Sequence, residues 1–170
     1  MNYKRLFIPN SLVFITLVTK HRKPILIKHI EILKKSFRTA KQKYPFDVIA
    51  VIVNPDHLHA IIQPKDIKQY PAIIGYLKAI FTQTSGVPYQ VNKNGEADIW
   101  QRRYWAHIIL NQTDLYKHID YIHYNSIKHH DIAPKNWAYS SFHKFVKNGY
   151  YEAEWCNMTD VYHIKNMDVE

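Results

Sequence analysis

The chain is short of cysteine, glycine and acid. Its one cysteine, Cys156, excludes a disulfide framework and a cysteine-built metal site within the chain, and it fits a reducing compartment. No apolar run approaches the ~20 residues that a membrane span needs. The N-terminal stretch MNYKRLFIPNSLVFITLVTKHRKP begins with charge and turns apolar. It is broken by Pro9, Asn10 and Thr16, ends in Lys20-His21-Arg22-Lys23, and has no small-residue cleavage site. It reads as a strand and not as a signal peptide, so the expectation is a cytoplasmic protein with no membrane partner. Two of the four glycines, Gly86 and Gly95, fall in the polar stretch 85–98, which reads as a loop. Internal repeats, low-complexity tracts and linkers are missing too. The expected organisation is a single domain over residues 1–150, with a tail, 151–170, of no assignable role.

Against 14 Asp and Glu stand 23 Lys and Arg, a net charge of +9. That surplus favours a polyanionic partner, nucleic acid first. The 13 Tyr, 7 Phe and 4 Trp suit stacking on unpaired bases, or the core of a basic, well-packed domain; charge alone does not separate the two.

Hydrophobic patterning gives the order of elements. Residues 11–20 and 46–53 are β-branched, apolar strands, and 57–63 is a third, joined to the second by the Asn54-Pro55-Asp56 turn and hence antiparallel to it. Residues 28–43 and 66–84 carry apolar residues at helical spacing. Residues 99–110 read as a fourth strand, and a third helix runs from a cap at Asn111 or Thr113 to about 130. A short helix is expected within 140–149. The order β-α-β-β-α-β, then α, is the ferredoxin-like α+β arrangement: an antiparallel sheet with helices on one face and the other face available.

Two features carry chemistry. In NPDHLHAII (54–62), His57 and His59 are i and i+2 on a strand and share a face, while Leu58 points to the core. Imidazoles so placed can chelate one ion, although a histidine–x–histidine pair alone is weak and two partly exposed strand histidines are the blander alternative. On the third helix, Leu115, Ile119 and Ile122 form a packing side. Asp114, His118, Tyr121, Asn125 and Lys128 line an adjacent one at spacings of 4, 3, 4 and 3. Tyr121 and Asn125 are i and i+4 neighbours, whereas Tyr124 is ~100° away from Asn125. Taken alone, a tyrosine packed at the edge of an apolar stripe explains this equally well.

Together these segments resemble a known family. NPDHLHAII is similar to the histidine–hydrophobic–histidine strand of the single-tyrosine (HUH) transposases, and YIHYNSIKHH (121–130) to their tyrosine helix. IWQRRYWAHIILN (99–111), NWAYSSFHKFV (136–146) and TLVTKHRKPIL (16–26) resemble segments of the REP-associated branch, found with short palindromic repeats. The resemblance runs over about residues 11–147. It departs where N-P-D-H replaces M-P-N-H and where N-S-I-K-H-H replaces N-P-V-K-H-G.

The resemblance implies cleavage and rejoining of single-stranded or hairpin DNA through a 5′-phosphotyrosine on Tyr121. It further implies a divalent cation, Mg²⁺ or Mn²⁺, held by His57, His59 and Asn125. His118, one turn before Tyr121, is a candidate for proton transfer. Asp56 could orient an imidazole, though a turn role is the simpler reading. The DNA-binding candidates are Lys20, Arg22, Lys23, Lys78, Arg102, Arg103 and Lys128, with Trp100, Tyr104 and Trp105 available to stack on bases. A monomer is preferred over a homodimer that exchanges the tyrosine helix. The competing readings are a ferredoxin-like repressor or RNA binder that has lost strand transfer, and a rolling-circle initiator or relaxase.

Overall fold

The structure, a computed structural model, describes residues 8–156, 161–167 and 169. The first seven residues of the stretch read for a signal, and residues 157–160, 168 and 170 of the expected tail, lie outside it.

Four strands form one sheet: β1 (Val13–Val18), β2 (Phe46–Val53), β3 (His57–Pro64) and β4 (Trp105–Ile108). Their order is β2-β3-β1-β4, and every neighbouring pair is antiparallel. The β2–β3 hairpin closes through Asn54, whose N–H donates to the His57 carbonyl at 2.8 Å. Helices α1 (Ile30–Lys43) and α2 (Tyr70–Thr84) lie on one face. There Leu33, Ala40, Ile73, Leu77 and Phe81 meet Val13, Ile15, Leu17, Leu58, Ala60 and Ile62 in a single core. The alternation expected of β3 holds: Leu58, Ala60 and Ile62 face these helices.

The other face is not available. Helix α3 (Gln112–His130), the short α4 (Phe142–Lys147) and part of the tail cover it. Ile119, Tyr121, Ile122, Phe142, Tyr151, Val161 and Ile164 pack there against Phe14, Ala50, Ile52 and Ile61. The physical reason lies in the strands. Phe14, Ile52 and Ile61 put large apolar groups on the histidine side, and exposing them would forgo about 1.5–3 kcal/mol apiece. The expected boundary at residue 150 therefore has residues of one core on both sides of it.

The fourth strand is shorter than expected. Of residues 99–110 only 105–108 join the ladder, while Trp100 makes an isolated bridge to Thr19. Between them, Lys78 Nζ donates to the carbonyls of Gln101 (2.7 Å) and Arg102 (3.4 Å), taking those groups out of strand pairing. Helix α3 starts at Asn111, whose side chain accepts from the Asp114 N–H at 2.9 Å. It stops at Asp131, which takes a left-handed conformation (φ 55°) and returns its N–H to Ile127 and Ser126. Aspartate tolerates that region better than most non-glycine residues.

Candidate active site

The site forms where α3 crosses the histidine side of β3. His57 and His59 are 2% and 0% exposed, so α3 makes them buried groups and not surface strand histidines. Each needs a partner on Nδ1. His57 Nδ1 lies 2.7 Å from Asp56 Oδ1. A carboxylate accepts, so Nδ1 carries the proton and Nε2 the lone pair. Arg22 Nη1, 3.5 Å from the same nitrogen, is too far to reverse that assignment. His59 Nδ1 lies 2.8 Å from Thr16 Oγ1. The Thr16 hydroxyl gives its one proton to the Val169 carbonyl at 2.8 Å, so it accepts from His59. Both imidazoles thus have Nδ1–H fixed and Nε2 as the basic nitrogen, the arrangement found when histidines serve as metal ligands.

Helix α3 brings its own pair to the same place. The Tyr121 ring, 1% exposed, stands 5.3 Å from the His59 ring at a 74° angle, and 6.3 Å from Phe14. Lys128, two turns on, donates from Nζ to the Tyr121 hydroxyl at 2.9 Å. Asn125 is fully buried. Its Oδ1 accepts from Asn54 Nδ2 at 2.7 Å, and the same Nδ2 sits 3.0 Å from His57 Nε2. Acceptors from β3 and α3 therefore converge on a single donor. The Asn125 Nδ2, in contrast, has no hydrogen-bond partner among the described residues. His57 Nε2 and Asn125 Oδ1 meet at one locus, and the His59 ring stands 5.1 Å from the His57 ring. Two imidazoles and a carboxamide oxygen are a donor set that fits a divalent cation such as Mn²⁺, which accepts both nitrogen and oxygen.

Around this centre are residues that the sequence reading left out. Asn54 Oδ1 accepts from His130 Nε2 at 2.9 Å, and His130 stacks on Trp137 (4.5 Å, 6°). His129 stands 4.7 Å from His57, ring to ring. Asp56, given above as a turn residue, also orients His57. Thr16 and Asn54 offered one local signal each: a polar residue inside or beside an apolar strand. Their partners lie up to 153 positions away.

A second cluster stands at the start of α3. His107 Nε2 is 2.8 Å and the Leu110 N–H 2.8 Å from Asp114 Oδ2. His118 Nδ1 is 2.9 Å from the Asp114 carbonyl and 3.1 Å from its Oδ1. Burial opposes ionisation of Asp114, yet the Leu110 N–H and His107 hold its carboxyl below the usual range. Burial likewise pushes His118 down. Among the described residues these three bring potential ligand atoms within 4.8 Å of one another. The His107 and His118 rings are nearly parallel (4.8 Å, 15°), however, so their in-plane lone pairs do not converge without a ring rotation. As arranged, the cluster braces β4 to α3. His118 contacts Asp114, His107 and Phe14.

The basic residues divide. Lys20 and Arg22 are exposed on the turn after β1, and Arg22 reaches to 3.5 Å from Asp56. Arg103 is exposed. Lys23 pairs with Asp98 (3.3 Å) and Arg102 with Glu96 (3.1 Å). Lys78 is turned onto backbone carbonyls, and burial lowers its pKa to about 8. Trp105 is 46% exposed, while Trp100 is buried in the first core.

Comparison with known proteins identifies the family. Residues 9–125, which span the histidine strand and reach Asn125, match the family described as Transposase IS200 like. The chain is 39% identical over 168 residues to a Haemophilus influenzae protein assigned as a REP-associated tyrosine transposase, covering 94% of this chain and 96% of that one. It is 31% identical over 162 residues to the Escherichia coli REP-associated tyrosine transposase, with 93% of each covered. A solved REP-associated tyrosine transposase, bound to a REP hairpin, superposes with a TM-score of 0.84 at 26% identity, over 99% of this chain and 96% of that one. The chain belongs to the IS200-like transposase family, and within it to the REP-associated tyrosine transposases.

Proposed function

We propose that this chain cleaves and rejoins single-stranded DNA at hairpin or palindromic repeats, with Tyr121 as the nucleophile. The observation that carries the reading is the convergence under α3. Tyr121 lies against His59, and Asn125 and His57 aim their acceptors at one point.

In the first step Tyr121 Oη attacks a backbone phosphorus. The Oη–P bond forms, the P–O3′ bond breaks, the phenol loses its proton and the departing strand leaves as a 3′-hydroxyl. A 3′-hydroxyl then attacks the phosphotyrosine and releases Oη. The link conserves the bond energy, so rejoining needs no nucleotide cofactor. A divalent ion held by His57, His59 and Asn125, Mg²⁺ or Mn²⁺, would polarise the phosphoryl oxygen and offset its charge. Lys128 holds the Tyr121 hydroxyl and favours its anion as the proton leaves. The proton-transfer role proposed for His118 requires its ring to turn from Asp114 towards the substrate.

DNA would approach from the turn after β1. Lys20 and Arg22 offer phosphate contacts beside the histidines; Arg103, and Trp105 as a stacking surface, extend that edge. Lys23, Lys78 and Arg102 serve the fold in the described state and would contact DNA only on release from their partners. The hairpin held by the superposing relative supports a hairpin as the substrate. With α3 on its own chain's β3 the whole set can be supplied in cis, which is the arrangement that action as a monomer requires.

The test is a denaturing gel of labelled hairpin strands incubated with the protein and Mn²⁺. A covalent adduct is expected, and Tyr121→Phe removes it while binding survives. An adduct lost with Tyr124→Phe but kept with Tyr121→Phe refutes the assignment. Binding with no adduct on any repeat strand favours a retired, binding-only protein.

A further inference from the structure

Asn54 occupies a position that the proposed cation set does not explain. It is wholly buried where β2 ends, and its backbone N–H is tied to the His57 carbonyl. Its Nδ2 is shared between His57 Nε2 (3.0 Å) and Asn125 Oδ1 (2.7 Å), and its Oδ1 accepts from His130 Nε2 (2.9 Å). Both hydrogens of one amide nitrogen therefore point at two of the groups assigned to the metal. An N–H donor is the neutral stand-in for a cation: it offers positive charge to lone pairs.

We propose that Asn54 is a further residue of the metal site, a placeholder that becomes a ligand. A cation entering between His57 and Asn125 meets the Nδ2 hydrogens head on, so the amide must turn. Rotation by 180° about Cβ–Cγ exchanges the two ends in place. Oδ1 then faces the cation, and Nδ2 faces His130, whose Nε2 accepts once that ring carries its proton on Nδ1. Neither end of the amide loses its partner, so the exchange leaves no buried polar group unanswered. The resulting set is two imidazoles and two carboxamide oxygens. The inference rests on the metal reading made above.

The experiment titrates the full chain with Mn²⁺ alone, without DNA. Free Mn²⁺ is followed by electron paramagnetic resonance, and thermal unfolding is followed with and without the ion. Asn54→Leu is expected to weaken Mn²⁺ binding by about tenfold or more, as loss of groups around a metal does. Asn54→Asp supplies an oxygen and removes the donor. It is expected to bind Mn²⁺ at least as tightly as the wild type and to gain more in Tm from the ion, since the carboxylate faces two acceptors without it. Wild-type or tighter affinity in Asn54→Leu would overturn the inference, because the amide would then only block the ion. Should that variant not fold, weaker binding by Asn54→Asp would overturn it equally. His57→Ala separates the two levels: if it leaves Mn²⁺ affinity unchanged, the metal reading itself falls and this inference with it.

Discussion

An ammonium group 2.9 Å from a phenol changes what that phenol can do. An ordinary tyrosine hydroxyl, with a pKa of about 10, is nearly all protonated at neutral pH, and Tyr121 must shed its proton as it attacks. By sequence Lys128 is a DNA-binding candidate on the third helix. In the structure it holds the proposed nucleophile and also lies over its ring, 5.1 Å from the centroid. Lys128→Met keeps the length and removes the charge. It is expected to slow adduct formation at pH 7 by at least about tenfold, the equivalent of one pKa unit of anion stabilisation. Hairpin affinity should change far less, by the loss of at most one phosphate contact. Single-turnover kinetics beside a binding titration check this; equal losses in both would return Lys128 to a DNA-contact role.

At the scale of the element, α3 decides the site, and its first turn decides α3. Asn111 caps the Asp114 N–H, and Asp114 returns its carboxylate to the Leu110 N–H and to His107 on β4. This reciprocal pair fixes both the start of the helix and its rotation about its axis. Seven residues later, that rotation determines whether Tyr121 meets His59. Asp114→Ala should cost about 2 kcal/mol in chemical denaturation, the upper end for one capping interaction, because the Leu110 N–H and His107 both lose their acceptor. In a chain of this size that is a fall of roughly 4–8 °C in Tm. Adduct formation should fall further than stability accounts for. His107→Ala, which leaves the cap intact, should cost less than Asp114→Ala; the reverse order would mean that the brace, and not the cap, sets the helix.

At the scale of the whole molecule, the sheet is buried on both faces, and the second burial has a pH signature. His123, on the side of α3 away from Tyr121's neighbours, gives Nδ1–H to the Tyr151 hydroxyl (3.1 Å) and accepts from Ser141 Oγ (2.8 Å). The Tyr151 hydroxyl is free to accept because it donates to Asp120 at 2.7 Å. Burial lowers the His123 pKa from the ordinary 6.5 to about 3. Between those values the unfolded chain takes up a proton that the folded chain refuses. The stability His123 permits is therefore complete above pH 6.5 and lost as pH falls towards 3, at up to ~1.4 kcal/mol per pH unit. His123→Gln should be less stable at pH 7 and should flatten the dependence of unfolding free energy on pH between 6.5 and 5 by close to one proton. An unchanged slope would mean that the site admits water.

What could be read from the chain follows from range. The histidine pair and the Tyr121–Asn125 pair are i,i+2 and i,i+4 relations, which strand and helix geometry fix locally. The order of elements follows from periodicity in the same way. The cover over the histidine face is not legible in this way: the order of elements leaves that face available, although Phe14 and Ile61 lie on it under α3. Thr16, Asn54 and His130 enter the site through contacts 43, 71 and 76 positions apart, and no local pattern announces those. Lys78, a surface cation by sequence, is a backbone anchor by contact. Trp100 and Trp105, five positions apart, fall to opposite fates because the strand breaks between them.

The central claim is that the phenol of Tyr121, and no other group, takes the phosphate. Trypsin digestion of the protein–DNA product formed with a labelled hairpin strand and Mn²⁺, followed by mass spectrometry of the nuclease-trimmed peptides, locates the linked residue directly. The account predicts a phosphodiester-derived adduct on Tyr121. A modified Tyr124 or Tyr116, or cut strands with free 5′-phosphates and an unmodified protein, would contradict it.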